Sequence, residues 1–471
     1  MGNTTASATI SIIARNNLAA KKRPGLPLRH ERPAAVMLQD GLVARALDLA
    51  RDRGFLFFLA NFAVGKGLAF FGPIALGVLL APAVYGTLEF ALAGALNIAM
   101  VATLGVPSAA IQLVLIRQGR KVVDLLGGTA AVVGLAALLA AGALFVFGFA
   151  LRWSLCAAFV ALCAAQQCGV AYARAHGRRN FNVWIDHAPT VAAVVIAAGL
   201  AAIGKGGDLQ ALLFAVSTLG AVALTIAVAI ARRDLAPAFI RRTREAATIG
   251  LPMVGASLAG VWMVSSGRIY MGLFLSQEDV YAYAFTFRVA SLLVLLHAVA
   301  VTAYAAHFYK MPTRRFDPIG ASLVGALAIG ALLLILVAPE RLAIGWFSPA
   351  KAALLTARPA LALIAAQVFF WVASATAEMR VSRARAAAAS MQLNLIVSLC
   401  VGAALLLWRH YGQIGFGGLT AALLAQQAAG GAAQYVSLFQ RGVTPRKTVF
   451  VTLIGGAVVT VTALLCIWTS L

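Results

Sequence analysis

Residues 232–245 read RRDLAPAFIRRTRE, five basic residues in a chain that is otherwise 62% hydrophobic and only 11% charged. This is the longest of the basic connections, and it divides the sequence nearly in half. Six long apolar stretches precede it, near 55–80, 86–105, 127–150, 153–173, 183–203 and 209–231. Six more follow before residue 440, near 246–273, 280–306, 318–338, 359–378, 386–408 and 417–439, and a thirteenth lies near 448–470. A helix crosses a bilayer with about 20 apolar residues, so these runs use up most of the 471 residues. With no water in the hydrocarbon core, every backbone polar group must be satisfied within the segment. Helices do this, and Ala, Leu and Gly richness without strict alternation argues against a barrel. The expected class is an all-α polytopic membrane protein.

The connections are alternately basic and nearly uncharged. The tail before residue 55 carries nine Lys/Arg, and the six connections after even-numbered stretches carry 3, 3, 5, 3, 3 and 3. Those after odd-numbered stretches hold only Arg152, Lys205, the trio Arg341, Lys351 and Arg358, and Arg409. Translocating Lys or Arg is disfavoured, so the basic connections and the N-terminus are expected in the cytoplasm, and a count of thirteen puts the C-terminus outside.

The net charge of +23 does not indicate a nucleic-acid partner, because the basic residues are divided among seven separate segments rather than gathered on one face. Their position also suits anionic lipid headgroups. Cys156, Cys163, Cys168, Cys400 and Cys466 all lie inside apolar stretches without metal-site spacing, so neither a zinc site nor a disulfide framework is expected. No Gly-rich loop ends in Lys-Ser/Thr, and no soluble catalytic domain has room to form. The expectation is therefore a protein that is not an enzyme and needs no cofactor.

Residues 1–36 are polar, basic and Pro-containing, with no apolar core for a cleavable signal peptide, and we expect disorder there. Residues 37–53 set Met37, Leu38, Leu42, Ala46 and Leu49 on one side and Asp40, Arg45, Arg51 and Arg53 elsewhere, which predicts an amphipathic helix on the membrane surface. The organisation read from these features is a tail over 1–54, a first lobe of six spans over 55–231, the basic linker 232–245, a second lobe over 246–440 and an accessory thirteenth span over 441–471. Pairs of six suggest an internal repeat, here a parallel one. The run Gly77-Val-Leu-Leu-Ala-Pro-Ala-Val-Tyr-Gly86 is echoed by Gly272-Leu-Phe-Leu-Ser-Gln-Glu-Asp-Val-Tyr-Ala282. Each has a glycine, an apolar run, a short turn and then Val-Tyr-small opening the next span.

The stretch Asn61-Phe-Ala-Val-Gly-Lys-Gly-Leu-Ala-Phe-Phe-Gly-Pro73, with Leu79-Leu-Ala-Pro-Ala-Val-Tyr-Gly86 after it, resembles the start of polysaccharide exporters and O-antigen flippases. These belong to the multidrug/oligosaccharidyl-lipid/polysaccharide exporter superfamily. Gly267-Arg-Ile-Tyr-Met-Gly-Leu-Phe-Leu-Ser276 and Val280-Tyr-Ala-Tyr-Ala-Phe-Thr-Phe-Arg288 resemble the same family again. The similarity covers about 55–120 and 246–310. The resemblance implies two six-helix lobes around a central cavity that alternates between membrane faces, here with one extra C-terminal helix. It also implies a cargo of lipid-linked oligosaccharide on undecaprenyl pyrophosphate, carried across a bacterial inner membrane. Two features depart from the family: Gly267 stands where many relatives have an Asp before the arginine, and twelve or fourteen spans are usual.

Few charges lie deep in the spans, and each is costly unless wet or paired. Lys66 is near the middle of the first span, as a cavity cation for phosphate or as a structural Lys on neighbouring carbonyls. Arg268 and Arg288 flank an outer turn, where guanidinium geometry suits phosphate and long stems also allow snorkelling. Glu89 either pairs with one of these cations or is solvated at the interface. Glu378 and Asp186 are expected to pair at the cytoplasmic ends beside Arg380 and Arg179, and His187 and His297 are candidate proton carriers. Asn61 is among the amides within spans that either meet sugar hydroxyls or bond other helices. Pro73, Pro189 and Pro252 can kink spans one, five and seven. The candidate substrate-binding set is Lys66, Arg268, Arg288, Asn61 and Glu89. Three deep cations against one deep acid favour an anionic cargo, so the expected function is a flippase of lipid-linked glycans working beside polymerase or export machinery. The alternatives are an H⁺- or Na⁺-coupled small-molecule exporter and a membrane-bound glycan polymerase or transferase. The exporter wants a carboxylate cluster in the first-half cavity; the enzyme wants large outer loops.

Overall fold

A computed structural model describes residues 53–117, 121–176, 178–231, 237–294, 297, 311–337, 348–356, 358–384 and 386–468. The expected surface helix at 37–53 lies outside these apart from its last residue. Of residues 1–59 only the first turns of one helix are described. The remaining helices belong to a second unit, Ala60–Leu471.

Each apolar stretch meets a helix. In the first half these are α1 (Arg53–Leu79), α2 (Pro82–Ala102), α4 (Lys121–Val146), α5 (Leu151–Ala175), the pair α6 (Arg179–Asp186) and α7 (Ala188–Ala202), and α8 (Leu209–Ala231). In the second half they are α9 (Pro237–Phe274), α10 (Gln277–Ala290), α11 (Thr313–Val337), α13 (Ala362–Arg383), α14 (Ala387–Tyr411), α15 (Phe416–Phe439) and α16 (Arg446–Trp468). The described residues contain no strand. Among the described residues nine helices are long and apolar enough to cross a membrane, or eleven when each of two bent pairs counts as one span. Of the other two, α10 is only 14 residues long, and α15 is made more polar by Gln426, Gln427 and Gln434. Two short helices occupy stretches that the sequence assigns to connections: α3 (Val106–Arg117), entered through left-handed Leu104 and Gly105, and α12 (Pro349–Thr356).

The proline expectations have partial counterparts. The fifth span breaks by 61° between α6 and α7, at His187, with Pro189 in the first turn of α7. The Nε2 of Gln166 donates to the Asp186 carbonyl freed at the break, at 2.7 Å. The seventh span bends by 50° between Phe239–Leu251 and Met253–Phe274, at Pro252. Pro73 lies inside an unbroken α1.

The helices form two packing groups. In the first, α4, α5 and α8 pack on one another and α2 runs along α5. In the second, α13 packs on α11, α15 and α16. The thirteenth segment, α16, lies in this second group, along α11. The Asp317 carboxylate of α11 accepts from the Lys447 and Thr448 backbone N–H groups at 3.0 and 2.8 Å, capping α16 from another helix. Leu135, Phe214, Ile226, Ile329, Leu399 and Leu453 are exposed along the outer helices, an apolar surface that suits lipid rather than water. Cys156, Cys163 and Cys168 are free thiols and buried, whereas Cys400 is exposed.

At the uncharged end the two groups meet through α2 and α10, and the two echoing stretches meet each other. Tyr85 and Tyr281 hold equivalent places in the echo, and their fully buried rings lie edge to face with centroids 5.6 Å apart. Equivalent residues of two parallel repeats face each other where they lie near the axis relating them. A connection from the second half crosses to the first there as well. Lys351 of α12 is buried and donates to the Val78 and Gly77 carbonyls at 2.5 and 3.3 Å, closing the C-terminus of α1. Arg358 holds the far side of this connection through Asp279, at 2.8 Å. Lys351→Met keeps the stem and loses these charge-assisted bonds, so thermal unfolding in detergent is expected to show a loss of about 1.5–3 kcal/mol.

Candidate functional site

Along α2, Tyr85 and Glu89 are four residues apart and share one face. The Tyr85 hydroxyl donates to Glu89 Oε1 at 3.2 Å. On α9, Arg268 NH1 donates to Glu89 Oε2 at 2.7 Å. On α10, Arg288 reaches the same carboxylate with two donors, Nε to Oε1 and NH2 to Oε2, both at 3.1 Å. Glu89 is 1% exposed and Arg268 7%. The sequence left open whether Glu89 is solvated and whether the arginines snorkel. All three turn inward, and the carboxylate of one half is held by two guanidiniums of the other. With both arginines and the acid ionised the cluster carries one surplus positive charge.

Gly267, beside Arg268, has no room for a side chain. A Cβ at Gly267 would collide with the phenol of Tyr283, which is fully buried and donates to Gln367 at 3.0 Å. An Asp beside Arg268 is thus excluded sterically, and Glu89 supplies the negative charge from across the interface. Further along, Asn97 Nδ2 donates to Ser265 Oγ at 2.7 Å, a second polar tie between α2 and α9.

Lys66 and Asn61 lie elsewhere, in the basic-end half of α1. Asn61 Oδ1 accepts from Trp184 Nε1 of α6 at 2.9 Å. The half-buried Lys66 places its ammonium 5.8 Å from the Phe62 ring centroid, with Asp186 and Arg174 as the charged groups acting on it. Asp186 pairs with Arg174 and His187, each at 3.8 Å.

Two cavities occupy the basic-end half. The first, about 310 Å³, is lined by Thr103 just past the end of α2, Gln166, Gln167 and Arg174 of α5, Asp186 of α6 and Ser257 of α9. The second, about 250 Å³, lies among α9, α13, α14 and α15, and Ser257 lines it too. None of Lys66, Arg268, Arg288, Asn61 and Glu89 lines either cavity; Lys66 acts on the first across Asp186. The lining residues that sequence reasoning passed over are Arg174, counted as a topology charge, and Glu378, assigned to an end pair. Glu378 forms no ion pair among the described residues and opens into the second cavity. Arg380, two residues on, faces the other way: its guanidinium is 3.9 Å from the Phe316 ring centroid and donates to the Met311 carbonyl at 2.5 Å. Two helical residues are about 200° apart, so no local pair forms. The described residues hold no group of three or more His, Cys, Asp or Glu placed for a metal.

No protein-family model matches the chain, and no curated protein does. Among solved structures, the lipid II flippase MurJ in an inward closed conformation matches with a TM-score of 0.54 at 9% identity, over 87% of this chain and 97% of that one. An inward-facing multidrug resistance MATE family transporter of the MOP superfamily matches with a TM-score of 0.47 at 13% identity, over 82% of this chain and 98% of that one. At these identities the likeness is one of fold: the chain is a polytopic helical bundle built like the lipid II flippase.

Proposed function

We propose that this chain is a flippase that carries a lipid-linked oligosaccharide, a glycan on undecaprenyl pyrophosphate, from the cytoplasmic to the outer leaflet of a bacterial inner membrane. It is on this reading a transporter and not an enzyme. It serves cell-surface polysaccharide assembly, with the bilayer and polymerase or export machinery as its other partners. The basic end faces the cytoplasm, with the N-terminus inside.

The observation that supports this is the cluster at the interface, in which the buried guanidinium of Arg268 and the partly buried one of Arg288 share one carboxylate. A pyrophosphate carries more charge than Glu89 and accepts bidentate bonds from both arginines. The cargo enters at the basic end past Arg174 and Lys66, and the prenyl chain stays in lipid. When phosphate replaces Glu89 on Arg268 and Arg288, α2 is released from α9 and α10 and the uncharged end opens. An interior-negative potential favours outward movement of the anion by about 2.3 kcal/mol per charge per 100 mV.

Glu378 favours a second reading, an H⁺- or Na⁺-coupled exporter of small molecules, because it is an unpaired carboxylate in a polar cavity. Liposomes carrying the lipid-linked glycan in one leaflet separate the two. The flippase predicts potential-sensitive transfer by wild type, slowed at least about tenfold by Lys66→Ala and by Arg288→Gln, a barrier increase of about 1.4 kcal/mol. Transfer that survives both substitutions would make these cations structural. No transfer, with proton-driven efflux of a soluble compound, would favour the exporter.

A further inference from the structure

The second cavity is distinguished by the sign of its hydrogen-bonding groups. Asn394 Nδ2 donates to the Ser390 carbonyl at 2.9 Å, and Gln427 Nε2 donates to the Met263 carbonyl. A carbonyl only accepts, so these contacts orient both amides and leave Asn394 Oδ1 and Gln427 Oε1 without a donor among the described residues. Gln434 Oε1 is buried and also has no donor. Glu378 adds a carboxylate with no hydrogen bond or ion pair among the described residues. Glu378, Asn394, Gln427 and Gln434, from α13, α14 and α15, thus bring acceptor-bearing side chains to the lining of one space. Asn394 and Gln427 are only 7% and 2% exposed, so whatever fills this space, water or a donor-bearing ligand, is what their free acceptors meet.

The cavity's one acidic or basic side chain among the described residues is the Glu378 carboxyl, which disfavours phosphate, itself an anionic acceptor. The lining suits a group rich in O–H and N–H donors. At about 250 Å³ the space is below the range of about 300–1,000 Å³ usual for drug-sized ligands. It is larger than a dehydrated ion needs and too small for a whole oligosaccharide. Trp371 supplies an aromatic wall. Ser257 borders both cavities, so a ligand can extend from the first, beside Arg174, into the second, beside Glu378.

We propose that this acceptor-lined cavity is a glycan subsite that takes one sugar ring of the cargo through its hydroxyl and amide donors, while the phosphates stay on the first-half side. This rests on the flippase reading above. The test is equilibrium binding of two probes to the full chain in nanodiscs: undecaprenyl pyrophosphate, bare or bearing a single N-acetylglucosamine. Wild type is expected to bind the sugar-bearing lipid about tenfold more tightly, a difference of about 1.4 kcal/mol. Glu378→Gln and Gln434→Leu should each erase most of that preference, with affinity for the bare carrier as the control for correct folding. Equal affinity of wild type for the two lipids, or a preference that survives both substitutions, overturns the subsite and leaves the flippase standing. Sodium-dependent binding of the bare carrier, lost in Glu378→Gln with no sugar preference, would make the cavity a cation site instead. Failure of wild type to bind either lipid removes the flippase reading and the subsite with it.

Discussion

Glu89→Ala is expected to lower stability by about 3–5 kcal/mol, the usual cost of removing one partner from a buried ion pair. Arg268 and Arg288 each place donors on this one carboxylate, and the side chains of Glu89 and Arg268 are only 2% and 9% exposed. Without Glu89 both guanidiniums are left in a desolvated space with no counter-charge. Like-charge repulsion between them then adds to the lost hydrogen bonds. Thermal unfolding of purified protein in detergent reads this directly. Glu89→Gln separates charge from shape, because it keeps the volume and removes the negative charge; it is expected to cost nearly as much. Adding Arg288→Met to Glu89→Gln should restore part of the loss by removing one uncompensated charge. Melting temperatures unchanged by either Glu89 substitution would mean that water, not Glu89, solvates the arginines.

Gly86→Ala should be damaging out of proportion to one methyl group. A Cβ at Gly86 would overlap the carbonyl oxygen of Gln277 and come within 3.2 Å of the Tyr281 backbone nitrogen. These are backbone atoms, so no rotamer relieves the clash and α2 must move away from α10. Small residues permit such approach between membrane helices, whose association depends on packing rather than on the hydrophobic effect. Overpacking costs about 1–3 kcal/mol in ordinary cores. Here the same movement also strains the Glu89 cluster one turn further along α2, so the upper end of that range or beyond is expected. Because the first carbon does the damage, Gly86→Val should be little worse than Gly86→Ala. Gly142→Ala, in α4 with open space around it, is the control and should be neutral or stabilising. Equal melting temperatures for the two alanine variants would refute the close contact.

Some of this was legible in the residues. The echo between 77–86 and 272–282 marked the stretches that meet at Tyr85 and Tyr281, and the scarcity of acids singled out Glu89, Arg268 and Arg288. Their pairing was not legible, since Glu89 lies 179 and 199 residues from its partners. Nor was the role of Gly267, which depends on a phenol from α10. The expected pairing of Glu378 with Arg380 failed because sequence proximity does not place two residues on one face of a helix. The cavities went unread for a similar reason: their linings combine residues from four or more helices, each ordinary in its own segment.

Composition and patterning alone made the chain legible as a polytopic helical membrane protein, and the apolar stretches coincide with helices among the described residues. Those properties are local sums: transfer free energy accumulates residue by residue along each span, and the charge of each connection is read directly. Which charges meet, where the second cavity lies and how α16 packs on α11 depend instead on contacts between distant helices. A span that is apolar all round carries no inner face in its pattern. Its rotation about its own axis, and hence its polar contacts, is set by packing against helices distant in the chain.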